Sequence, residues 1–159
     1  MKRFLVIALV ISFLFTGCSV STTVQKGLEL NNFAFCEKIN GHRDFVERKN
    51  KTFSPSEVVY VYFEVSNFGS KKVGSSFTYH PQIDVLVKGP KGETVIERTT
   101  VINEEVSNAT EVPYFYFPIN LTFPENSPDG KYNLTIYVKD AFSNGSITQN
   151  EQFFLKKGT

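Results

Sequence analysis

Hydrophobic and polar residues alternate with a period of two along most of the chain from Leu28 onward. The clearest run covers residues 132–139 (YNLTIYVK), where Tyr132, Leu134, Ile136 and Val138 share one side. Successive side chains of a strand point to opposite faces, so this segment predicts a strand with one face on a core. No segment of this region shows the 3.6-residue periodicity of an amphipathic helix.

Further strands are predicted by the same alternation and by the turn residues between the runs. They cover residues 28–35, 57–67, 83–87, 94–101, 112–117, 119–123 and 147–155. The GPKG sequence at 89–92 predicts a hairpin turn fixed by Pro90, and Pro113 and Pro118 favour an edge strand or a short strand between them. The polar segment 40–55 is predicted to be a loop. These elements predict an all-β fold, an antiparallel two-sheet sandwich of seven or eight strands, in one domain over 28–159.

Tyrosines form the most distinctive feature of the predicted outer faces. In the strand over 57–67 four apolar residues share the core side, which leaves Tyr60 and Tyr62 opposite. Tyr114, Tyr116 and Tyr137 are expected to face outward in the same way. Such rings either form a flat binding platform for a sugar or a protein, or pair with each other across strands.

The N-terminus has the pattern of an export signal. Lys2 and Arg3 precede an apolar run over residues 4–15, which as a helix would be about 18 Å long and too short for a bilayer core of about 30 Å. The FTGC sequence that ends this run resembles the lipobox of prokaryotic lipoproteins, matching at Gly17 and Cys18 and departing at Phe15, where an aliphatic residue is usual. The resemblance implies a signal peptide over 1–17, a diacylglycerol on Cys18, a flexible tether over 18–27, and a lipid-anchored domain on the extracytoplasmic side of the cell membrane.

Charge and length narrow the possible partners. Without residues 1–17 the chain has 15 basic and 16 acidic side chains, so no basic excess attracts nucleic acid. The remaining 142 residues are enough to bury about two-thirds of the unfolded chain's surface without disulfides. The expected partners are membrane lipid through Cys18 and an envelope protein or polysaccharide.

The C-terminal segment GKYNLTIYVKDAFSNGSITQNEQFFL resembles the closing strand pair of immunoglobulin-like surface modules, which repeat the pattern G-x-Y-x-L-x-I-x-V-x-D. The resemblance implies an immunoglobulin-like sandwich and no particular activity. The chain has no tryptophan and lacks the cysteine pair of antibody domains.

No catalytic motif is present in the sequence. The only histidines are His42 and His80, and Cys36 is expected to be buried beside Phe33 and Phe35 as a small hydrophobic residue. A Cys18–Cys36 disulfide would compete with lipidation, because one sulfur cannot do both. We therefore predict a non-catalytic surface module for binding or envelope structure, not an enzyme, with no cofactor and no metal ion.

An alternative function remains open at this point. A small redox or metal-dependent envelope protein would use Cys36 and His42, with Asp44 or His80 as additional groups. That function requires these side chains to lie within hydrogen-bond or ligand distance of each other.

Five Asn-x-Ser/Thr triplets are candidate N-glycosylation sites, at Asn50, Asn108, Asn120, Asn133 and Asn144. In a strand, residues i and i+2 share a face, so the Asn and Thr of the 120 and 133 triplets are predicted to point outward together. Threonine-rich strands also create such triplets by composition alone.

Overall fold

The structure is a computed structural model that describes residues 27–158, in which all regular structure is β-strand. The predicted signal peptide, Cys18 and most of the tether lie outside the described residues. Between residues 27 and 158 no helix is long and apolar enough to cross a membrane. The twelve strands are β1 (Glu29–Gly41), β2 (Asp44–Glu47), β3 (Thr52–Phe53), β4 (Val59–Ser66), β5 (Lys71–Val73), β6 (Ser76–Tyr79), β7 (Pro81–Lys88), β8 (Thr94–Asn103), β9 (Val106–Asn108), β10 (Tyr114–Leu121), β11 (Gly130–Asp140) and β12 (Ser146–Leu155).

Two larger sheets share one hydrophobic core. A four-stranded sheet has the order β10-β4-β1-β2, a five-stranded sheet has the order β3-β12-β11-β7-β8, and β5, β6 and β9 form a third, small sheet. The rings of Phe35 from the first sheet and Phe153 from the second lie 5.6 Å apart between centroids inside this core. The predicted all-β sandwich with antiparallel strands is thus confirmed, except that β3 pairs with β12 in parallel and a third sheet is present where two were predicted. The strand number is higher than predicted because five of the strands have only two to four residues.

The strand predicted over 132–139 is confirmed as the centre of β11. Tyr132, Leu134, Ile136 and Val138 are all buried in the core, while the residues between them lie on the opposite face. β11 pairs with β7 on one side and with β12 on the other. Its buried face follows directly from the alternation in the sequence.

The predicted hairpin at GPKG is also confirmed. β7 and β8 are antiparallel, and in the turn the Gly92 N–H donates to the Gly89 carbonyl at 3.0 Å. The Gly89 N–H donates to the Glu93 carbonyl at 2.8 Å, and Pro90 lies between these two bonds. Pro90 favours the turn because its ring fixes the backbone angle φ.

Segments 112–117 and 119–123, predicted as two strands, form the single strand β10 with Pro118 inside it. Proline cannot donate a backbone hydrogen bond, which explains why β10 pairs only with β4 and lies at the edge of its sheet.

The prediction of a loop over 40–55 is wrong in part. β1 continues to Gly41 and turns into β2, and β3 follows before residue 55. The β1–β2 hairpin curls over the outer face of the four-stranded sheet, since Phe45 of β2 stacks on Tyr62 of β4 with 4.4 Å between ring centroids. Irregular pairing of β1 with β2 at two points accompanies this bend.

Candidate binding site

The five tyrosines singled out in the sequence lie on two different sheets. Tyr60, Tyr62, Tyr114 and Tyr116 belong to β4 and β10 of the four-stranded sheet, and we call the outer face that carries them the tyrosine face. Tyr137 lies on the five-stranded sheet, where the Arg98 guanidinium is 4.1 Å from its ring centroid. The five rings therefore do not form one platform.

The expectation that Tyr62 is exposed is wrong. Tyr62 is completely buried, because Phe45 from the curled hairpin covers its ring. Ala34 and Cys36 of β1 and the partly buried Ile39 complete this second, smaller hydrophobic cluster. β4 is consequently buried on both faces, whereas the alternation in its sequence predicts burial of only one.

Glu64 is the centre of the polar part of the tyrosine face. Arg43 forms two hydrogen bonds to its carboxylate, from Nε to Oε1 at 2.9 Å and from Nη2 to Oε2 at 3.0 Å. The Tyr62 hydroxyl donates to Oε1 at 2.8 Å, and the Asn32 amide donates to Oε2 at 2.8 Å. His42 Nε2 lies 3.2 Å from Oε1. Four side chains therefore hold a carboxylate whose side chain is only 3% exposed.

These contacts fix the ionisation of the cluster. The Arg43 hydrogen bonds, with those from Tyr62 and Asn32, lower the pKa of Glu64 to about 2 against the opposing effect of burial. Burial raises the pKa of Tyr62 to about 12. At neutral pH the cluster holds an ionised Glu64, a cationic Arg43 and a neutral tyrosine hydroxyl. Paired and buried in this way, Glu64 serves to hold the hairpin tip in place.

The hairpin tip rests on the exposed part of the tyrosine face. The His42 ring lies 5.2 Å from the Tyr114 centroid and 5.4 Å from the Tyr116 centroid. The Arg43 guanidinium is 5.0 Å from the Tyr114 centroid, a cation–π contact. Tyr116 remains 39% exposed. The result is an aromatic surface that also carries the Arg43 guanidinium, which is paired with the buried carboxylate.

A surface cavity of about 610 Å³ adjoins this cluster, between the bulge of β1 and strand β2. We call it the hairpin pocket. Asn32 lies within β1 at this bulge and has a positive φ of 50°, a conformation that asparagine adopts more readily than most residues. The residues that line the hairpin pocket are Asn32, Phe33, Ala34, Arg43, Phe45 and Glu47. The volume lies within the range of small-molecule sites.

Cys36 and His42 have separate surroundings. Cys36 is buried as predicted, but it lies in the small cluster under the hairpin and not beside Phe33 and Phe35, which pack on the other core. Adjacent strand residues point to opposite faces, which explains this correction. Burial raises the pKa of the Cys36 thiol to about 11, and the His42 ring contacts Glu64.

Asp44 and His80, the additional groups of the redox or metal-dependent alternative, lie elsewhere. Asp44 accepts a hydrogen bond from Asn40 at 3.1 Å, and His80 Nε2 lies 2.8 Å from Asn103 Oδ1 near the five-stranded sheet. Across residues 27–158, no group of three or more His, Cys, Asp and Glu side chains could hold a metal ion. The structure thus does not bring together the residues that a redox or metal centre would require.

The candidate N-glycosylation residues differ in exposure. Asn50, Asn120 and Asn144 are exposed, and Asn144 lies in a turn with a positive φ of 59°. Asn108 and Asn133 are half-buried, and Asn133 accepts a hydrogen bond from Gln152 at 3.0 Å. Glycosylation at these residues stays a prediction.

Glu64, Arg43, Asn32 and Phe45 were missed as site residues by sequence reasoning. In the alternating strand Glu64 has the position of an ordinary solvent-facing residue, and its burial depends on a hairpin more than twenty residues earlier in the chain. One signal was present: the Asn40-Gly41 pair, a frequent turn sequence, although the structure places the turn two residues later, at His42 and Arg43.

Comparisons with known proteins show the fold and no family. No protein-family model matches the chain, and no curated protein matches it significantly. A family 123 glycoside hydrolase from Clostridium perfringens aligns with a TM-score of 0.52 and 11% identity, over 82% of this chain and 27% of its own. An alkylpurine DNA glycosylase from Pseudomonas fluorescens aligns with a TM-score of 0.48 and 7% identity, over 82% of this chain and 30% of its own.

A third similar structure is an immunoglobulin-like protein from Pseudomonas aeruginosa. It aligns with a TM-score of 0.44 and 11% identity, over 84% of this chain and 99% of its own. The chain spans less than a third of the length of the two enzymes. At such low identities, the similarity to the glycoside hydrolase concerns the β-sandwich fold alone.

Proposed function

We propose that this chain is a non-catalytic, lipid-anchored binding module on the extracytoplasmic side of the cell membrane, with an immunoglobulin-like sandwich. Its partner is an envelope protein or polysaccharide, and its binding surface is the hairpin tip with the exposed part of the tyrosine face. The observation that carries the proposal is the Glu64 cluster, which fixes His42 and Arg43 against Tyr114 and Tyr116.

Preorganisation is the physical support for binding. A surface whose side chains are already fixed loses little conformational entropy when a partner docks. Arg43 is held by two hydrogen bonds to a buried carboxylate, and the rings of Tyr114 and Tyr116 provide contact area with few rotatable bonds. Tyrosine, arginine and histidine together offer apolar contact and hydrogen bonds in one place.

The ionisation states favour a binding role over catalysis. A general acid or base works best with a pKa near the operating pH, and the pKa of Glu64 is about 2. Cys36 is a buried thiol with a raised pKa, which disfavours the nucleophilic thiolate. The groups that chemistry would need are therefore occupied by structural contacts or held in the unreactive form.

Site-specific photo-crosslinking in intact cells tests the proposal. A photoreactive phenylalanine analogue replaces Tyr116, which is 39% exposed, in the full-length chain. We expect a discrete adduct with a protein or a polysaccharide. The matched control places the same analogue at Val101, which is 41% exposed on β8 of the other sheet, and it should yield no such adduct. Equal adducts from both positions, or none from Tyr116, would contradict the proposed surface.

A further inference from the structure

The polar atoms that line the hairpin pocket are only partly used by the protein. Arg43 binds Glu64 through Nε and Nη2, so its Nη1 remains available as a donor. Asn32 donates its amide N–H to Glu64, and its Oδ1 remains available as an acceptor. Within residues 27–158 the Glu47 carboxylate has no hydrogen bond or ion pair, although it lines the pocket. The residues that line the pocket therefore supply both donors and acceptors.

Charge in the pocket disfavours a simple ion as ligand. Glu64 already neutralises Arg43, so an anion would meet the uncompensated carboxylate of Glu47. A small cation would find Glu47 as its only carboxylate in the pocket lining, and within residues 27–158 no group of three or more His, Cys, Asp and Glu side chains could hold a metal ion. A neutral group with several hydroxyls matches both the donors and the acceptors of the pocket, because each hydroxyl donates and accepts.

The apolar lining adds a second requirement. Arg43 of the hairpin turn and Phe45 and Glu47 of β2 all line the pocket, and Phe45 and Glu47 share one face of β2 because they are two residues apart. Phe45 contacts Tyr62, which fixes its ring, and Phe33 and Ala34 of β1 also line the pocket. A ligand that fits must present an apolar face to the phenylalanines and hydroxyls to the polar atoms. A pyranose ring has this combination, with C–H groups on its faces and hydroxyls around its edge.

We propose that the hairpin pocket binds one ring of a neutral polysaccharide, with Phe45 contacting the sugar face and Asn32, Arg43 and Glu47 binding its hydroxyls. This inference rests on the proposed binding function and narrows its partner to an uncharged glycan.

Saturation-transfer NMR on the full-length, detergent-solubilised protein tests the inference. The probes are hexasaccharides of glucose in α-1,4 and β-1,4 linkage, mannose and N-acetylglucosamine, with hexagalacturonate and hexalysine as charged comparisons. We expect saturable transfer to at least one neutral hexasaccharide at about 1 mM. Glu47→Ala and Phe45→Leu should each weaken that binding about tenfold, since a hydroxyl contact or part of the ring contact is lost.

Glu37→Ala is the matched control, because Glu37 is exposed on the neighbouring strand and does not line the hairpin pocket. It should bind as the unchanged protein does, and thermal unfolding checks that every variant is folded. Three results would each overturn the inference: no neutral hexasaccharide binds, only a charged probe binds, or Glu47→Ala and Phe45→Leu bind normally. A Tyr116 protein adduct obtained alongside any of these would leave the proposed binding function standing.

Discussion

At the scale of single residues, Glu64 determines how the hairpin meets the sheet. Its side chain is 3% exposed, and its pKa of about 2 against an ordinary 4.5 means that folding favours the ionised form by about 3 kcal/mol. We expect Glu64→Gln to lower the free energy of unfolding by about 3 kcal/mol in urea titration. Glu97→Gln, at an exposed position, should change it by less than about 0.5 kcal/mol, and an equally small effect of Glu64→Gln would contradict the cluster's role.

The same residue predicts a dependence of stability on pH. Because the pKa of Glu64 is lower in the folded than in the unfolded chain, the unfolded state binds more protons between pH 4.5 and about 2. The difference in unfolding free energy between the unchanged protein and Glu64→Gln should have its maximum value above pH 4.5 and should decrease toward pH 2. Urea titrations from pH 2 to 6 measure this difference, and a value that stays constant over that range would exclude the assignment.

At the scale of elements, the start of β11 lies against the turn between β7 and β8. Gly130 begins β11 with a φ of 143°, and a Cβ there would lie 2.8 Å from Pro90 in the β7–β8 turn. Gly130→Ala should therefore cost about 2–4 kcal/mol through backbone strain and overpacking, measured by thermal or urea unfolding. Gly41→Ala is the control, since its Cβ would meet no atom within 4 Å. Equal stability of the two variants would contradict this explanation.

The elements also show what local sequence can and cannot predict. β7 and β11 could be predicted because each carries its own alternation, and one buried face is enough to define such a strand. β8 has no buried residue, and the GPKG turn before it is what predicts it. The burial of the outer face of β4 could not be predicted, because it depends on the β1–β2 hairpin and not on the strand's own pattern. β2 lies in a polar segment and has only one aromatic residue, Phe45, which explains why its sequence predicts a loop.

The candidate site follows the same division. Alternation predicts that Tyr60 and Tyr62 share one side of their strand and Tyr114 and Tyr116 one side of theirs, and the pairing of β4 with β10 brings the two pairs to one face. Glu64, Arg43 and Asn32 come from three separate stretches of the chain, and only the folded hairpin brings them within hydrogen-bond distance. Long-range pairing of this kind has no local periodicity. The tyrosines of the site could therefore be predicted from the sequence, but the charged cluster around Glu64 could not.

At the scale of the whole molecule, the proposed function depends on where the domain is held. The lipobox-like FTGC predicts a mature chain that begins at Cys18 with a diacylglycerol attached through sulfur. Two acyl chains anchor a protein stably, since each buried CH₂ contributes about 0.8 kcal/mol. A tether of about nine residues would then hold the sandwich within about 15–18 Å of the lipid, close enough to meet envelope components.

Cys18→Ser tests that placement directly. We expect the native protein to partition into the detergent phase and to show an intact mass of residues 18–159 plus acyl groups, while Cys18→Ser partitions into water without them. Ser19→Ala should keep both the anchor and the mass, because it leaves the sulfur in place. The same spectrum reports any glycans on the five candidate asparagines. A native chain that retains Met1, or that is freely water-soluble and carries no acyl group, would rule out the membrane placement. The Glu64 cluster would be unaffected by that result, because the folded domain and its anchor are independent parts of the proposal.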